Sequence, residues 1–302
     1  MTKPKARKKP SVSIVGAGRL GTALALALAK AGYQIQALVS RRLSRARKAA
    51  TLLGRPVFAL SARRLDQIPP TNLIIIATPD DDIEGVAQAL AALKIPPSGL
   101  RTVLHTSGAL SAEVLDPIAK TGISTGSLHP LIAVSDSRSG AAELRGAFYC
   151  IEGHKLASQI ARSIVFDLKG QSFSIESRDK SLYHASAVMA SGHVVALFDV
   201  AVRLLVRSGL AENRARRVLI PLLQSTVQNL AVAPPGRALT GTFRRGDFAT
   251  VKRHMAALKE ISEPEVLAIY SLLGKLSLRL AGEEGLDPET RKAIERLLDK
   301  TD

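Results

Sequence analysis

The chain has 302 residues, of which 46% are hydrophobic, and it contains a single cysteine, Cys150. This length accommodates two domains of ordinary size, and the hydrophobic content excludes an intrinsically disordered chain. One cysteine excludes an intramolecular disulfide and cysteine-rich zinc sites, and we expect no bound metal. The formal net charge is +16, which favours anionic partners such as nucleic acid, a membrane surface or a phosphorylated small molecule.

Two observations narrow these classes. The arginines are scattered along predicted helices and no nucleic-acid-binding motif is present, so nucleic acid is not the expected partner. No apolar run is expected to reach membrane-spanning length, and no signal-peptide stretch follows the first ten residues. We therefore expect a cytoplasmic protein that binds a small molecule, with residues 1–10 (MTKPKARKKP) forming a basic, disordered tail.

The first half of the sequence alternates predicted strands with predicted helices. It begins with SVSIVGAGRLGTALALALAKAG, which reads as a strand, a glycine turn and a helix that Gly32 ends. Further strands are predicted at YQIQALVS, NLIIIATP, RTVLHTSG, 124–128, 147–151 and 171–175, and further helices at ARKAATLLG, DDDIEGVAQALAAL, SAEVLDPIAKTG and 155–168. This order predicts a doubly wound α/β sheet, a Rossmann-type domain, over residues 11–176.

The pattern becomes purely helical after about Glu176. Residues 178–207 keep helical spacing throughout, and RARRVLIPLLQSTVQNLAV is a second helix with Pro221 as a kink. FATVKRHMAAL and PEVLAIYSLLGKLSLRLAG are two more helices. Residues 177–302 are therefore predicted to form an all-α second domain.

A glycine-rich turn follows the first predicted strand. Residues 16–21 read Gly16-Ala17-Gly18-Arg19-Leu20-Gly21, the G-x-G-x-x-G spacing of dinucleotide-binding loops. In such a loop Gly16 makes the tight turn, Gly18 lets the backbone approach a pyrophosphate, and Gly21 packs the helix against the strand. Free N–H groups at the helix N-terminus favour the anion. The alternative is a glycine turn without a ligand.

Basic residues stand where an NAD-binding protein usually has an acid. About twenty residues beyond the glycine loop, the second strand ends in Ser40, Arg41 and Arg42, followed by Arg45. Arginine binds the 2′-phosphate of NADP through planar, charge-assisted hydrogen bonds, whereas an acid repels it. No acid occurs from residue 39 to residue 65, which favours NADP(H) over NAD. The alternative is that these arginines belong to a generally basic surface.

Small and polar residues follow three of the predicted strands. They are Ala77, Thr78 and Pro79, then Thr106, Ser107 and Gly108, and finally His129 in GSLHPL. Because the carboxyl ends of parallel strands border the ligand crevice, we expect the first three to bind the cofactor. Thr106 and Gly108 are expected to bind the substrate, and Ser107 and His129 to position it. For His129 a purely structural role is the alternative.

Three polar side chains share one face of the predicted helix 178–207. They are Lys180, His184 and Ser191, at successive offsets of four and seven residues. Hydride transfer to C=O or C=N needs a proton donor, and Lys and His supply that role near neutral pH. We therefore expect Lys180 or His184 to be catalytic and Ser191 to contact the substrate. The alternative is a polar stripe on an exposed helix, although the surrounding SAVMASGHVVAL is apolar.

The loop ALTGTFRRGD in the second half offers further polar groups. Thr240, Gly241 and Thr242 supply hydroxyl and backbone donors, and we expect them to contact the substrate. The two arginines that follow offer charge for a carboxylate or a phosphate.

These motifs together resemble a known family. VSIVGAGRLGTAL, ATPDDDI, HTSGAL, GSLHPL, KSLYHASAVMAS, PLLQSTVQNL and ALTGTFRRGD are similar to bacterial Rossmann-like proteins assigned as NADP-dependent oxidoreductases, with a C-terminal helical domain of unknown function of the DUF2520 type. More distantly, the chain is similar to pyrroline-5-carboxylate reductase and the β-hydroxyacid dehydrogenases. The resemblance implies NADP(H), a helical domain like that of 6-phosphogluconate dehydrogenase, and a homodimer built through that domain.

The resemblance also bears on the catalytic residues. In the β-hydroxyacid dehydrogenases, a Lys and an Asn one turn apart on the first long helix of the helical domain meet the substrate. Lys180 and His184 are the matching pair here, with His in place of Asn. The family usually has Asn where this chain has Gly192, and Gly-Pro where it has Gly241-Thr242.

The sequence supports three hypotheses. The first is an NADP(H)-dependent oxidoreductase that reduces a C=O or C=N group of a small, anionic metabolite. In it Lys180 or His184 is the proton donor, and Ser107 and His129 position the substrate. The second is a non-catalytic NADP(H)-binding sensor, which needs the glycine loop and the arginines but no proton donor. The third is binding of nucleic acid or another anionic surface through the net charge.

Overall fold

The computed structural model describes residues 9–93, 96–261 and 263–299. They divide into two compact units, the first ending at Gly192 and the second beginning at His193. Most of the predicted tail lies outside the described residues. Lys9 is described, and its ammonium donates to the Ala31 carbonyl at 2.5 Å and pairs with Asp167 at 3.1 Å. The prediction of a disordered tail up to residue 10 is therefore wrong at Lys9.

The first unit contains one eight-stranded sheet. Its strands are β1 Ser11–Val15, β2 Gln34–Ser40, β3 Phe58–Ser61, β4 Leu73–Ile76, β5 Thr102–His105, β6 Ser124–Pro130, β7 Phe148–Gly153 and β8 Gln171–Phe173. Their order is β3-β2-β1-β4-β5-β6-β7-β8, and every neighbouring pair is parallel except β6 and β7. The predicted doubly wound sheet is confirmed. Strand β3 was not predicted, because only Leu60 of its four residues is buried and the strand lacks an apolar run.

The described residues of the first unit form seven α-helices. They are α1 Arg19–Lys30, α2 Leu43–Leu52, α3 Asp80–Ala91, α4 Asp116–Ala119, α5 Ser137–Glu143, α6 Lys155–Asp167 and α7 Lys180–Ala190. The predicted helix SAEVLDPIAKTG is shorter than expected, because a 3-10 turn over Ala112–Leu115 precedes α4.

Two apolar cores cover the opposite faces of the sheet. Alternate residues of one strand enter different cores, so that Ile14 belongs to the core with α1 and α6, and Val15 to the core with α3. Ile75 and Ile76 of β4 alternate in the same way. A strand buried on both faces reads as a continuous apolar run, which is why NLIII was recognisable from the sequence.

The second unit is entirely helical over its described residues, as predicted. Its helices are α8 Gly192–Arg207, α9 Glu212–Val232, α10 Pro235–Ala238, α11 Thr242–Arg245, α12 Phe248–Lys259, α13 Pro264–Glu283 and α14 Pro288–Leu298. Val251, Met255, Leu278 and Ile294 form the centre of its core. Pro221 lies inside α9.

The predicted single helix over 178–207 is interrupted. Ser191 leaves helical geometry, with φ −128° and ψ −77°, and thereby separates α7 from α8. The first compact unit therefore continues to Gly192 rather than ending at residue 176, because α7 packs with the sheet through the buried side chain of Lys180.

The stretch 177–207 also corrects an expectation about membranes. By length and composition it is the one helical stretch among the described residues that is able to cross a membrane, whereas no such run was expected. Only 6% of its most apolar 18-residue segment is buried inside the chain. Apolar side chains such as Leu182 and Val195 are exposed.

Candidate functional site

The strand order reverses next to β1, and the glycine loop lies at this point. The chain leaves β1 through the loop and leaves the neighbouring β4 through residues 77–79, so both segments emerge at one edge of the sheet. Gly16 has φ +113°, and a side chain there would overlap the backbone of Ala77. A side chain at Gly21 would overlap the carbonyl of Gly16. The turn and packing roles expected of these two glycines match this geometry.

Gly18 differs from its two neighbours. No atom of the described chain lies within 4 Å of the position that a Cβ would take, and its φ of −82° suits any residue. Gly18 is the N-cap of α1, where no side chain accepts the first N–H groups, and no acid stands in the first turn. The first N–H groups of α1 therefore have no side-chain acceptor, and they lie next to open space. This arrangement binds an anion.

One cavity, the β2 cavity, extends from Gly18 along the end of β2 and has a volume of about 450 Å³. Its lining includes Gly16, Ala17, Gly18, Ser40, Arg41, Arg45, Ala62, Leu65, Ala77, Thr78, Pro79, Asp81, Asp82, Val86 and Ala89. Leu65, Val86 and Ala89 form the apolar part of its lining, and Ser40, Arg41 and Arg45 form a polar part. A lining of this mixed kind suits a flat heteroaromatic ring next to a ribose or a phosphate.

The arginines after β2 do not all reach this cavity. Arg41 and Arg45 line it, whereas Arg42 is the N-cap of α2 and lines none of the cavities described here. Asp82 of α3 lies 3.7 Å from Arg41. No acid is near the arginines in the sequence, because Asp82 follows β4 and meets Arg41 only in the folded chain. Both side chains are solvent-accessible, so their pairing is weak.

A second cavity, the α2 cavity, adjoins the glycine loop at Ala17 and Gly18, is also lined by residues of α2, and has a volume of about 680 Å³. Its lining includes four cations: Arg19, Arg45, Lys48 and Arg138. None of them forms an ion pair with the residues that the structure describes. The one acid, Asp136, accepts the backbone N–H groups of Arg138 and Ser139 at 2.8 and 3.1 Å. The cavity is therefore strongly positive next to the loop.

A third cavity, the β5 cavity, joins the glycine loop to the ends of β5 and β6, with a volume of about 450 Å³. It is lined by Gly18, Arg19, Leu20, Ala77, Thr78, Pro79, Asp80, Thr106, Ser107, Gly108, His129, Pro130, Ile132, Val134 and His184. The structure thus brings together five residues expected on the substrate side, namely Thr106, Ser107, Gly108, His129 and His184. Their roles remain predictions.

A fourth cavity, the α7 cavity, shares His129 and His184 with the β5 cavity and has a volume of about 380 Å³. Its other lining residues are Pro130, Leu131, Ile132, Ala133, Ala187, Val188, Ala190, Ser191 and Gly192. Ser191 therefore lies near His184 as expected, but through the break after α7 rather than through helical spacing. The walls are mostly aliphatic.

Lys180 does not reach any of these cavities. Its side chain is 1% exposed, and its ammonium donates to the Ser107 carbonyl at 3.2 Å and the Ser127 hydroxyl at 3.0 Å. Burial lowers the pKa of Lys180, and the more distant Cys150, Glu152 and Asp80 only partly offset this effect. The structure does not place Lys180 in a cavity with His184, and its catalytic role stays a prediction. Instead, Lys180 connects the ends of β5 and β6 to α7.

Ser107 and His105 hold the loop after β5. The Ser107 hydroxyl accepts the N–H groups of Ala109 and Leu110 at 3.1 and 3.0 Å. His105 accepts the Ser107 N–H on Nδ1 at 3.1 Å, and its Nε2 lies 3.2 Å from the Ser111 carbonyl. Burial, followed by the charge of Lys180, lowers the pKa of His105 to about 3. His105 is therefore a neutral, structural residue.

His129, like His184, lines both the β5 cavity and the α7 cavity. Its Nδ1 lies 2.7 Å from the Tyr183 hydroxyl, and its ring packs edge-on against His184. Burial, then the charges of Lys180 and His184, lower its pKa to about 4. The sequence analysis missed Tyr183, although its offset of three residues from Lys180 in KSLYH is a usable signal for neighbouring positions on a helix.

The remaining predicted residues lie elsewhere. Thr240, Gly241 and Thr242 stand in the second unit at the start of α11, with Gly241 at φ +81° as its N-cap. Their contact with a substrate remains a prediction. Within the described residues, no three His, Cys, Asp or Glu side chains are grouped so that they could hold a metal ion.

The sequence matches two domain families. Residues 2–130 match the Rossmann-like domain, and residues 147–277 match the domain of unknown function DUF2520. The chain combines a Rossmann-like domain with a DUF2520 domain. The resemblance found in the sequence is thereby confirmed. The DUF2520 match begins before the predicted boundary at residue 176, so it includes β7, α6 and β8.

Solved structures share the fold over most of the chain. A protein from Thermotoga maritima is 25% identical, with a TM-score of 0.68 over 90% of this chain and 99% of its own. The putative NADP oxidoreductase from Bacteroides fragilis is 22% identical, with a TM-score of 0.72 over 90% and 98%. The 1-pyrroline-5-carboxylate reductase from Streptococcus pyogenes is 17% identical, with a TM-score of 0.56 over 97% and 98%. A search of curated protein sequences finds no match.

The lowered pKa values of His105 and His129 predict a loss of stability in acid. The unfolded chain protonates histidine near pH 6.5, whereas the folded protein keeps these rings neutral to about 3 and about 4. Their contribution is fully present above pH 6.5 and is lost as the pH falls toward 4, by roughly 3 kcal/mol for each ring. Urea unfolding between about pH 7 and pH 4 measures this slope.

Two variants identify the source of the slope. His105→Gln lowers stability at pH 7 but makes the pH dependence clearly shallower, because a buried titrating ring is removed. His193→Gln, at an exposed position, leaves the slope unchanged. A His105→Gln slope equal to that of the wild type would show that acid unfolding has another origin.

Proposed function

We propose that the protein is an NADP(H)-dependent oxidoreductase that reduces a C=O or C=N group of a small molecule. The observation that carries this proposal is the unfilled space beside Gly18, where the β2, α2 and β5 cavities share lining residues. A dinucleotide has three parts to place around such a point: an adenosine, a pyrophosphate and a nicotinamide.

The residues of the first unit fit each part. The apolar part of the β2 cavity accepts adenine, and the N–H groups at the start of α1 accept the pyrophosphate. Arg41, Arg45 and Lys48 supply charge for a 2′-phosphate at the end of β2. The β5 cavity accepts the nicotinamide, which supplies hydride when bound. The Bacteroides and Streptococcus proteins, whose names include an NADP oxidoreductase and a reductase, share this architecture.

The substrate side favours a compound that is at least partly apolar. The α7 cavity has aliphatic walls, and its polar side chains are His129, His184 and Ser191. Arg19 is the only Lys or Arg among the residues that line the β5 and α7 cavities. Among the residues that line these two cavities, Arg19 is therefore the one cation that supports the expectation of an anionic substrate.

Cofactor titrations test the proposal directly. NADPH should bind at least about tenfold more tightly than NADH, because the 2′-phosphate adds charge-assisted contacts worth about 1.4 kcal/mol or more. Arg45→Ala should weaken NADPH binding by about tenfold and leave NADH binding almost unchanged. NADPH fluorescence and calorimetry measure both dissociation constants.

The control is Arg47→Ala, which removes an exposed arginine of the same helix that lines none of the described cavities. Its NADPH affinity should equal that of the wild type. Equal or tighter binding of NADH would reject the 2′-phosphate assignment, and the absence of binding for both would reject the cofactor. NADPH binding without oxidation by a broad series of carbonyl and imine compounds would favour a sensor.

We further propose that a second copy of the chain covers the exposed apolar surface of α8 and α9. Val195, Val218, Leu222 and Val227 are each more than half exposed, and monomeric proteins rarely display so much apolar surface on adjoining helices. Light scattering should give the mass of a dimer for the wild type. Leu222→Glu should give a monomer, because an unpaired carboxylate would be buried in the contact.

Phe166→Glu is the matched control. Phe166 is 81% exposed on α6 of the first unit, and its replacement should leave the dimer intact. A monomeric wild type at micromolar concentration, or its partition into lipid vesicles, would contradict the homodimer.

A further inference from the structure

Tyr183 of α7 contacts His129 through both its hydroxyl and its ring. The hydroxyl lies 2.7 Å from Nδ1 of His129, and the Cys150 thiol of β7 is near enough for the two groups to shift each other's pKa. The phenol ring packs edge-on against Phe173 and against His129, with centroids 5.8 and 5.6 Å away. The ring contacts hold Tyr183 in place, and its hydroxyl thereby holds Nδ1 of His129.

The direction of the Tyr183–His129 hydrogen bond follows from the protonation of its members. Burial raises the pKa of Tyr183 above its ordinary value, so the phenol keeps its proton at neutral pH. A phenol is a stronger hydrogen-bond donor than acceptor, so the Tyr183 O–H donates to Nδ1 of His129. Nδ1 then carries no proton, and the single proton of the neutral ring stands on Nε2.

Neutral His129 is also what its surroundings favour. The charged and titratable groups that face it are Lys180 and His184 from α7, Cys150 from β7 and His105 from β5. No carboxylate is among the groups that shift its pKa, so nothing stabilises an imidazolium. A second proton on the ring would meet the ammonium of Lys180 and lose hydration.

Nε2 of His129 points toward the cavities. A Cβ placed on Gly108 would lie 2.8 Å from Nε2 and Cε1 of His129 and 2.5 Å from Cδ2 of His184. Gly108 thus leaves the space through which both rings reach the β5 cavity and the α7 cavity. Nε2 of His129 therefore faces the region that the β5 cavity, proposed for the nicotinamide, shares with the aliphatic α7 cavity.

We propose that Tyr183 is a positioning residue that holds His129 as the Nε2–H tautomer, which makes His129 a hydrogen-bond donor to the reducible oxygen or nitrogen of the substrate. This inference rests on the proposed oxidoreductase function. It also moves the polar role on the substrate side from Lys180, which is enclosed by Ser107 and Ser127, to a residue that lines both cavities.

The role of His129 differs from that of a proton donor. A bound dihydronicotinamide would supply hydride, with its two electrons, to the substrate carbon, and negative charge would develop on the oxygen or nitrogen. The His129 N–H stabilises that charge. The proton that completes the reduction comes from solvent water, because its loss from neutral His129 would leave an imidazolate. Turnover should therefore not follow a titration of His129 between about pH 5 and pH 8.

Nitrogen-15 NMR of the full chain labelled at histidine tests the tautomer without a substrate. In long-range proton–nitrogen spectra, assigned with His129→Gln, Nε2 of His129 should appear protonated and Nδ1 unprotonated between about pH 5 and pH 8. Tyr183→Phe removes the donor to Nδ1, so both nitrogen shifts should move toward the average of the two tautomers. Unchanged backbone amide spectra verify that this variant folds.

The chain contains a matched control. Tyr270 places its hydroxyl 2.8 Å from Nδ1 of His254 in the second unit, so Tyr270→Phe should change His254 and leave His129 as in the wild type. A protonated Nδ1, a charged ring at neutral pH, or shifts unaffected by Tyr183→Phe would overturn the inference. Failure of NADPH to bind in the same sample would reject the proposed cofactor but would leave the tautomer result standing.

Discussion

The close approach of the β1–α1 turn to the end of β4 is the constraint on which the site depends. Gly16 takes a positive φ against the backbone of Ala77, and Gly21 brings α1 down onto the carbonyl of Gly16. These two contacts leave no room for side chains, and they direct the first N–H groups of α1 outward. The open position of Gly18 and the cavities around it follow from that geometry.

The charges around this turn differ between the side that faces β2 and α2 and the side that faces β5. On the β2 and α2 side, Arg45 and Lys48 are not paired with described carboxylates, and they can meet a phosphate without first breaking a strong contact. On the β5 side, Lys180 is enclosed and His129 is held neutral by burial and by the lysine. The surroundings thus favour anion binding at one end and hydrogen bonding to a neutral group at the other.

The sequence was sufficient for the parts that depend on local pattern. The doubly wound sheet could be predicted because β4 is a continuous apolar run and β1 carries three β-branched residues directly before a glycine turn. The glycine loop could be predicted because its spacing requires no distant residue. The short edge strand β3 could not, since only Leu60 is buried. Asp82 beside Arg41 was hidden because the two residues belong to different strand–helix units, forty-one positions apart, that only the sheet brings together.

The proposed substrate side was less predictable for the same reason. Helical spacing placed Lys180 and His184 on one face correctly, but spacing does not tell whether a side chain enters a cavity or a core. Tertiary contacts with Ser107 and Ser127 decide that for Lys180, and a packing gap at Gly108 decides it for the histidines. The break at Ser191 was likewise invisible, because the surrounding residues keep helical spacing across it.

The most direct test of the account is Gly18→Asp, measured by NADPH titration and urea unfolding. Aspartate is a favourable N-cap, so stability should stay equal to that of the wild type or rise by a few tenths of a kcal/mol. Its carboxylate would occupy the open space and repel the pyrophosphate, so NADPH binding should weaken at least about a hundredfold. A variant that folds normally and binds NADPH as tightly as the wild type would contradict the proposed site.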